Sequence, residues 1–540
     1  MRPRPRVLVA VVLAMGVLTI GVVAAIGATS TTQLDREGLA QRLLKSPIAH
    51  YLTWPAQAAL HMSANGTRQF GTSTSQVSGG DLPSGKAGGA LGRSPLTNVR
   101  VNNPAEDSHQ TDQTTQSEPM LTVSGSNVAV GFNDSQTALL ALTAGGDLTG
   151  YAYSTDGGAS FTDGGPLPNA PGFVNFGDPW LAHDRAGNMY FSNLALDGTT
   201  GGLDVGVAKS SDGGKTWSAP TMTFKPGPNV FYQGDKDALT VGRDPMNASR
   251  DVVYAAWDDF TADAAGNLVL GLPVAHSTDG GATWAVSYAD RTRVRIDGCT
   301  FKQYIGAQPS VDPTTGALYV VAERIGADDP TCAGVPATLS QWIFRSTDGG
   351  RTFGKGVQIA QITASFPRGA LELGPGQLMR NAEFPAIAEL RGTLYVAWND
   401  GSTGQSHIRL ASSSDGGQTW KLTWVTQGAG NDLQPAISAD TALHILYYRA
   451  NANRTLDTVV ADSTNGTSFT TSRVTTQSFP GVFTAPQFDP IIAPAYMGDY
   501  IGNVSDGTHQ YFAWGDNRDT VTNFLWPSGR HDPNVYLAKR

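Results

Sequence analysis

Apolar and polar residues alternate in short runs along this chain, as in Val205-Gly-Val-Ala-Lys-Ser210 and Ile408-Arg-Leu-Ala-Ser-Ser413. A period of two sends successive side chains to opposite faces, so each run predicts a β-strand. Such runs also recur as pairs. The pairs begin near Glu118, Asp178, Asp237, Gln308, Glu383, Gln434 and Gly498, and they end near Asp134, Asn193, Asp259, Arg324, Asp400, Arg449 and Arg518. Between them sits a third piece, Ser-x-Asp-Gly-Gly-x-x-(Trp/Phe), centred on Asp156, Asp212, Asp279, Asp348 and Asp415, with a worn copy at Asn465. The centres are 56, 67, 69, 67 and 50 residues apart. One propeller blade plus loops of varying length has this size.

Each copy of the third piece has the chemistry of a hairpin turn. The Asp carboxylate and Ser hydroxyl can accept the turn's N–H groups, the glycines supply positive φ, and the aromatic folds back onto the hairpin. These motifs resemble the Asp boxes, or BNR repeats, of the sialidase superfamily, and the resemblance covers nearly all of the chain from residue 98 onward. Their Asp residues are read as turn clasps rather than catalytic groups. Seven paired runs against six boxes predict that the chain ends inside a seventh unit, with residues 535–540 as its third strand. An isolated strand-like piece, Asn98-Val-Arg-Val-Asn102, stands ahead of the first unit, and pairing it with the last hides two sheet edges. The expected fold is all-β: a seven-bladed β-propeller closed by an N-terminal strand. The resemblance implies six blades as the alternative.

Composition agrees, since 63 Gly, 31 Pro and only 15% charged residues suit short strands and turns. A net charge of −9 with no basic stretch argues against nucleic acid as a partner. The chain has no Gly-rich phosphate loop, no Cys/His ligand cluster and no Gly-x-Ser-x-Gly elbow, and the box spacing is not that of an EF-hand. Neither a cofactor nor a metal is expected.

Arg2, Arg4 and Arg6 precede an uncharged apolar run over residues 7–28, which is long enough to span a bilayer. Residues 1–30 therefore read as a signal peptide or a signal anchor, with the body of the protein extracytoplasmic in either case, and held to the membrane if the segment is uncleaved. Residues 31–95 read as a short helix over 35–45, with Leu39, Leu43 and Leu44 on one side, followed by a Ser/Gly/Thr-rich linker. The propeller takes 96–540 and is expected to be monomeric. Its only cysteines, Cys299 and Cys332, flank the fourth unit's first two strands, so a disulfide across one rim is expected.

If the strands of a unit are lettered A to D, the entrances to A and the exits of B collect on one side of the disc. The entrances supply Glu118, Asp178, Asp235, Asp237, Tyr304, Glu383, Asp432 and Asp499; the exits supply Asn133, Asp258, Asp259, Glu323, Arg324, Asp400, Arg449, Asp516 and Arg518. This ring is either a ligand site or a set of solvated turns. As a site, its clustered carboxylates would push one another's pKa apart, as a glycosidase acid and base require. The sialidase resemblance implies an arginine triad, here Arg324, Arg449 and Arg518, a Tyr/Glu pair, here Tyr304 or Tyr500 with Glu383, and an acidic group, here Asp178 or Asp499. Asp258, Asp259 and Asp400 are further ligand-binding candidates. The first unit, Glu118-Pro-Met-Leu, lacks the arginine that the family carries there. With a neutral ligand, the arginines would instead pair with ring carboxylates such as Glu323 and Asp516. Two functions follow: a glycosidase acting on extracellular glycan, or a non-catalytic propeller that binds glycan or a surface protein.

Overall fold

Because a strand that is apolar on one face must bury it against a neighbour, the repeated runs assemble into stacked sheets. The computed structural model describes residues 36–46, 94–105, 115–136, 146–227, 230–365, 370–374, 377–483, 488–489, 493–494, 497–522 and 527–540. The signal or anchor segment and most of the linker lie outside these. Among the described residues, four-stranded antiparallel meanders follow one another seven times. Their inner strands are Gln116–Ser124, Trp180–His183, Val230–Asp244, Phe301–Val311, Ala386–Leu390, Asn431–Ala439 and Gly502–Ser505.

An apolar cluster fills each seam between consecutive meanders. A further cluster joins the last to the first, with Leu121 and Val128 packed against Tyr511 and Leu537. That contact closes the ring, and the protein is an all-β β-propeller.

The closing strand is the expected one. Asn98, Val99 and Arg100 pair antiparallel with Ala538, Leu537 and Tyr536 of Arg530–Lys539, so the N-terminal piece is the fourth strand of the last blade. Asn102 extends the seam by accepting from the Val535 N–H at 2.9 Å and donating to Asn534 Oδ1 at 2.7 Å. The end of the linker is also fixed, because Ser94 Oγ donates to the Val474 carbonyl.

The boxes form the expected clasp with one difference. In the fourth blade Ser346 Oγ donates to Asp348 Oδ1 at 2.8 Å and accepts the Gly350 N–H at 2.9 Å, while Asp348 takes the N–H and hydroxyl of Thr352. Ser346 is buried, whereas the Asp lies at the surface. The boxes also hold blade to blade. Gly214 sits at φ 85° with the Ala129 side chain of the preceding blade 2.7 Å from where its Cβ would stand, and Trp217 packs edge-on to Tyr151 of that blade. The aromatic therefore fills a seam as well as capping its own hairpin.

Helix Arg36–Leu44 buries Leu39 and Leu43, and Arg42 donates to the Ala264 carbonyl of the third blade. Among the described residues no helix is long and apolar enough to cross a membrane. Cys299 and Cys332 form the expected disulfide. Between the fourth and fifth blades a hairpin, Ala370–Gly374 and Gln377–Arg380, pairs with Val482–Phe483 and buries Leu371, Leu373 and Met379 against the sixth and seventh blades. This packing carries Arg380 to the propeller axis.

Candidate functional site: a buried ionic cluster beside an axial cavity

At the entrances to the inner strands the ladders slip. Bulges fall between Ser117 and Met120, Asp235 and Ala238, Ile305 and Gln308, and Leu433 and Ala436. Glu118, Asp178, Lys236 and Gln434 there take φ of 51, 54, 46 and 49°. Each such left-handed non-glycine residue costs on the order of 1 kcal/mol or more, and strain of this kind gathers at functional sites.

Three of these residues meet at one point. Lys236 Nζ lies 3.3 Å from Glu118, 2.9 Å from Asp178 and 2.9 Å from Asp499, so carboxyls from three other blades converge on one ammonium. Arg380 grips Asp499 from the other side through both Nε and Nη2. Glu118, Asp178, Lys236 and Asp499 are all buried. Burial pushes Glu118 up to about 8 against the pull of Lys236, with Asp178 and Asp499 adding to the rise. Burial also raises Asp499, but Arg380 and Lys236 overcome it and hold its carboxyl below the usual carboxylate range. Neighbouring carboxyls are thus driven in opposite directions.

Many members of the ring serve the joints between blades. Asn133 Oδ1 accepts the Asp178 N–H, Asp258 Oδ1 accepts the Gly306 N–H, and Glu118 Oε1 accepts the Asp499 N–H. In each case a side chain of one blade satisfies a backbone amide at the inner-strand entrance of an adjacent blade. Asp400 accepts from the Trp398 indole and the Ser402 N–H, and Asp259 accepts from the Tyr288 hydroxyl. Asp258 is held well above the ordinary value by burial and by Asp235, and burial pushes Asp259 up to about 7.

The other candidates fall in separate places. Glu383 accepts from the Ser365 N–H and from Asn381, and burial takes it up to about 7; burial, then Glu383, raises Glu323 well above its ordinary value. Tyr304 lies in the core shared by the third and fourth blades and donates to Asp290 at 2.6 Å, and burial followed by that bond raises its pKa. A tyrosine held this way is a poor nucleophile. Arg324 stacks on the Trp342 ring at 4.2 Å, Arg449 forks onto Asp432 at 2.7 and 3.1 Å, and Arg518 pairs with Asp516 at 2.6 Å. Each guanidinium is engaged within its own blade.

The inner strands enclose an axial cavity of about 320 Å³. Lys236, Asp237 and Asp499 line one end, with Trp180 and Tyr500 on the wall at a ring separation of 5.4 Å. His183, at the far end of its inner strand, also lines the cavity and is exposed, while Lys236 and Asp499 are buried.

Within the cavity Asp237 stands out. It is 2% exposed, and among the described residues neither of its oxygens makes a hydrogen bond of normal geometry. Burial holds it well above the usual carboxylate range, against the pull of the nearby Ser192 hydroxyl. Lys236 and Arg380 were missed by sequence reasoning. Lys236 had a signal, as the middle of three consecutive charges at an inner-strand entrance, whereas Arg380 had none.

No family model matches the chain. A xyloglucanase of Hypocrea jecorina (strain QM6a) is 27% identical over 323 residues, which are 57% of this chain and 33% of that protein. The chain thus spans about a third of that relative. Among solved structures, the Hadza microbial sialidase Hz136 is 16% identical at a TM-score of 0.38, covering 70% of this chain and 68% of its own. The phage phi92 endosialidase is 12% identical at 0.42, covering 83% and 69%. The GH93 α-L-arabinofuranosidase of Fusarium graminearum is 14% identical at 0.40, covering 65% and 92%. The class defined by the chain's own sheets and boxes is an Asp-box β-propeller.

Proposed function

We propose that this protein is an extracytoplasmic glycoside hydrolase acting on a neutral glycan from the axial cavity. The observation that carries the reading is Asp237, a buried carboxyl in the cavity wall that makes no hydrogen bond of normal geometry among the described residues and that burial holds well above the usual carboxylate range. Such a group can protonate a departing glycosidic oxygen. Asp499, kept ionised by Arg380 and Lys236, fixes that cationic pair at the same end of the cavity. Trp180 and Tyr500 offer apolar faces for a sugar ring. The xyloglucanase similarity supports a glycan substrate. The engagement of Arg324, Arg449 and Arg518 within their own blades supports a neutral glycan over a sialoside. The basic-then-apolar N-terminus and the disulfide support export.

The test is a panel of xyloglucan oligosaccharides, neutral aryl glycosides and a sialoside. Hydrolysis of a neutral member, lost in Asp237→Asn at an unchanged melting temperature, is the expected result. Turnover of the sialoside alone would refute the reading. The second reading, a non-catalytic binding module, is favoured by the use of Asn133, Asp258 and Glu118 as joints between blades. It predicts glycan binding without turnover of any member.

A further inference from the structure

The second and third blades are joined more closely than the others, because Gln233 pairs in parallel with Leu203 and fuses the two meanders into one sheet. At this junction, and sharing no lining residue with the axial cavity, lies a separate pocket of about 310 Å³. Its walls are largely carbon: Phe173, Met222, Phe224 and Tyr232, with the last two rings 4.9 Å apart. Two carboxyl residues, Asp197 and Asp204, line it, and Asp204 is the buried one. Asp204 is 2% exposed, and its Oδ1 has no hydrogen-bond partner among the described residues.

An uncompensated carboxylate against aromatic rings is costly unless a cation joins it. Burial pushes Asp204 up to about 7, and Asp197 at the rim adds to the rise. Asp197 is itself occupied by Thr199 and Thr200, and the lining cation, Lys225, is exposed. A hard metal ion would want several oxygen ligands, and among the described residues no group of three His, Cys, Asp or Glu side chains is placed to hold one. Aromatic faces together with a carboxylate match a positively charged nitrogen on a carbon frame.

We propose that this pocket binds a small organic ammonium ion, with an N–H donated to Asp204 and the carbon body packed on Phe173, Phe224 and Tyr232. The site is independent of the glycosidase reading and uses none of its residues.

The test is calorimetric titration of the full chain with n-butylammonium chloride, and with 1-butanol as the uncharged match, at constant ionic strength and pH 8. Saturable binding of butylammonium and none of butanol is expected. Asp204→Asn should weaken binding by about tenfold or more, since a charge-assisted hydrogen bond is lost, while Asp237→Asn should leave it unchanged. Equal binding of butanol, or full binding by Asp204→Asn, would overturn the proposal. Two further variants guard against misfolding of Asp204→Asn. Phe224→Leu should weaken binding at an unchanged melting temperature, and Lys225→Ala, which removes the competing ammonium at the mouth, should keep or tighten it. Unchanged binding in the first or lost binding in the second would each count against the site.

Discussion

Glu118 holds its proton to about pH 8 because it is buried beside two other carboxyls, and Lys236 recovers only part of that cost. A carboxyl whose pKa is raised by folding contributes stability that is full below its unfolded value of about 4.5 and is lost as pH climbs through the folded value. Glu118→Gln keeps a neutral group in the same place. Its melting temperature should therefore gain on the parent between pH 5 and pH 8, and thermal melts at the two values check this. A gap that is constant with pH would mean that Glu118 is ionised in the folded protein.

The boxes give a second test at the same scale. Ser346 is the buried partner of its clasp and both donates and accepts, so Ser346→Ala should cost about 1–2 kcal/mol, more than Asp348→Ala at the surface. Denaturant titration of the two variants would show the reverse order if the carboxylate were the main clasp.

At the scale of the element, one histidine ties the sixth blade to the chain terminus. His444 is hydrogen-bonded to Asp462 at 2.7 Å and to Asp440 at 3.1 Å, and Arg540 pairs with the same Asp462. Burial lowers its pKa, but the two carboxylates outweigh burial and raise it above 6.5. Its contribution to stability is therefore present below pH 6.5 and is lost as pH rises through the folded value. His444→Gln should destabilise the protein more at pH 6 than at pH 9, as read from urea midpoints. Equal losses at both values would show that the ring acts by packing alone. The inner-strand entrances make a complementary point. A bulge re-aims side chains, and four strained residues there place three charged groups on one axis, which regular strands could not do.

For the whole molecule, the closing strand adds to the apolar seam three residues of ladder, the Val101 N–H donated to the Val535 carbonyl and the two side-chain bonds of Asn102. A chain beginning at Pro104 should expose the edge of Arg530–Lys539, and either aggregate or melt about 5–10 °C lower. A chain beginning at Arg93 keeps the strand and the Ser94 bond, and should melt like the parent. Differential scanning of both truncations checks the seam, and equal melting would remove the strand from any role in closure.

The repeats, the boxes, the closing strand and the disulfide were legible in the sequence because each is written in local periodicity or in a short motif whose chemistry is its own. Residues 98–100 could be matched to the last unit because they had no partner among their neighbours. The site was less legible. Glu118 meets Asp499 across 381 positions and Arg380 reaches Asp499 across 119, so which charges pair depends on ring closure and on a hairpin laid over other blades. Asp178 and Asp499 were named as candidates, but nothing local says that both meet Lys236, or that Arg449 and Arg518 are already engaged within their blades. The sequence by itself determined the blade unit, since turns and alternation act over a few residues. Only the tertiary structure decided which carboxyls stay protonated, because burial and opposing charge are properties of the closed ring.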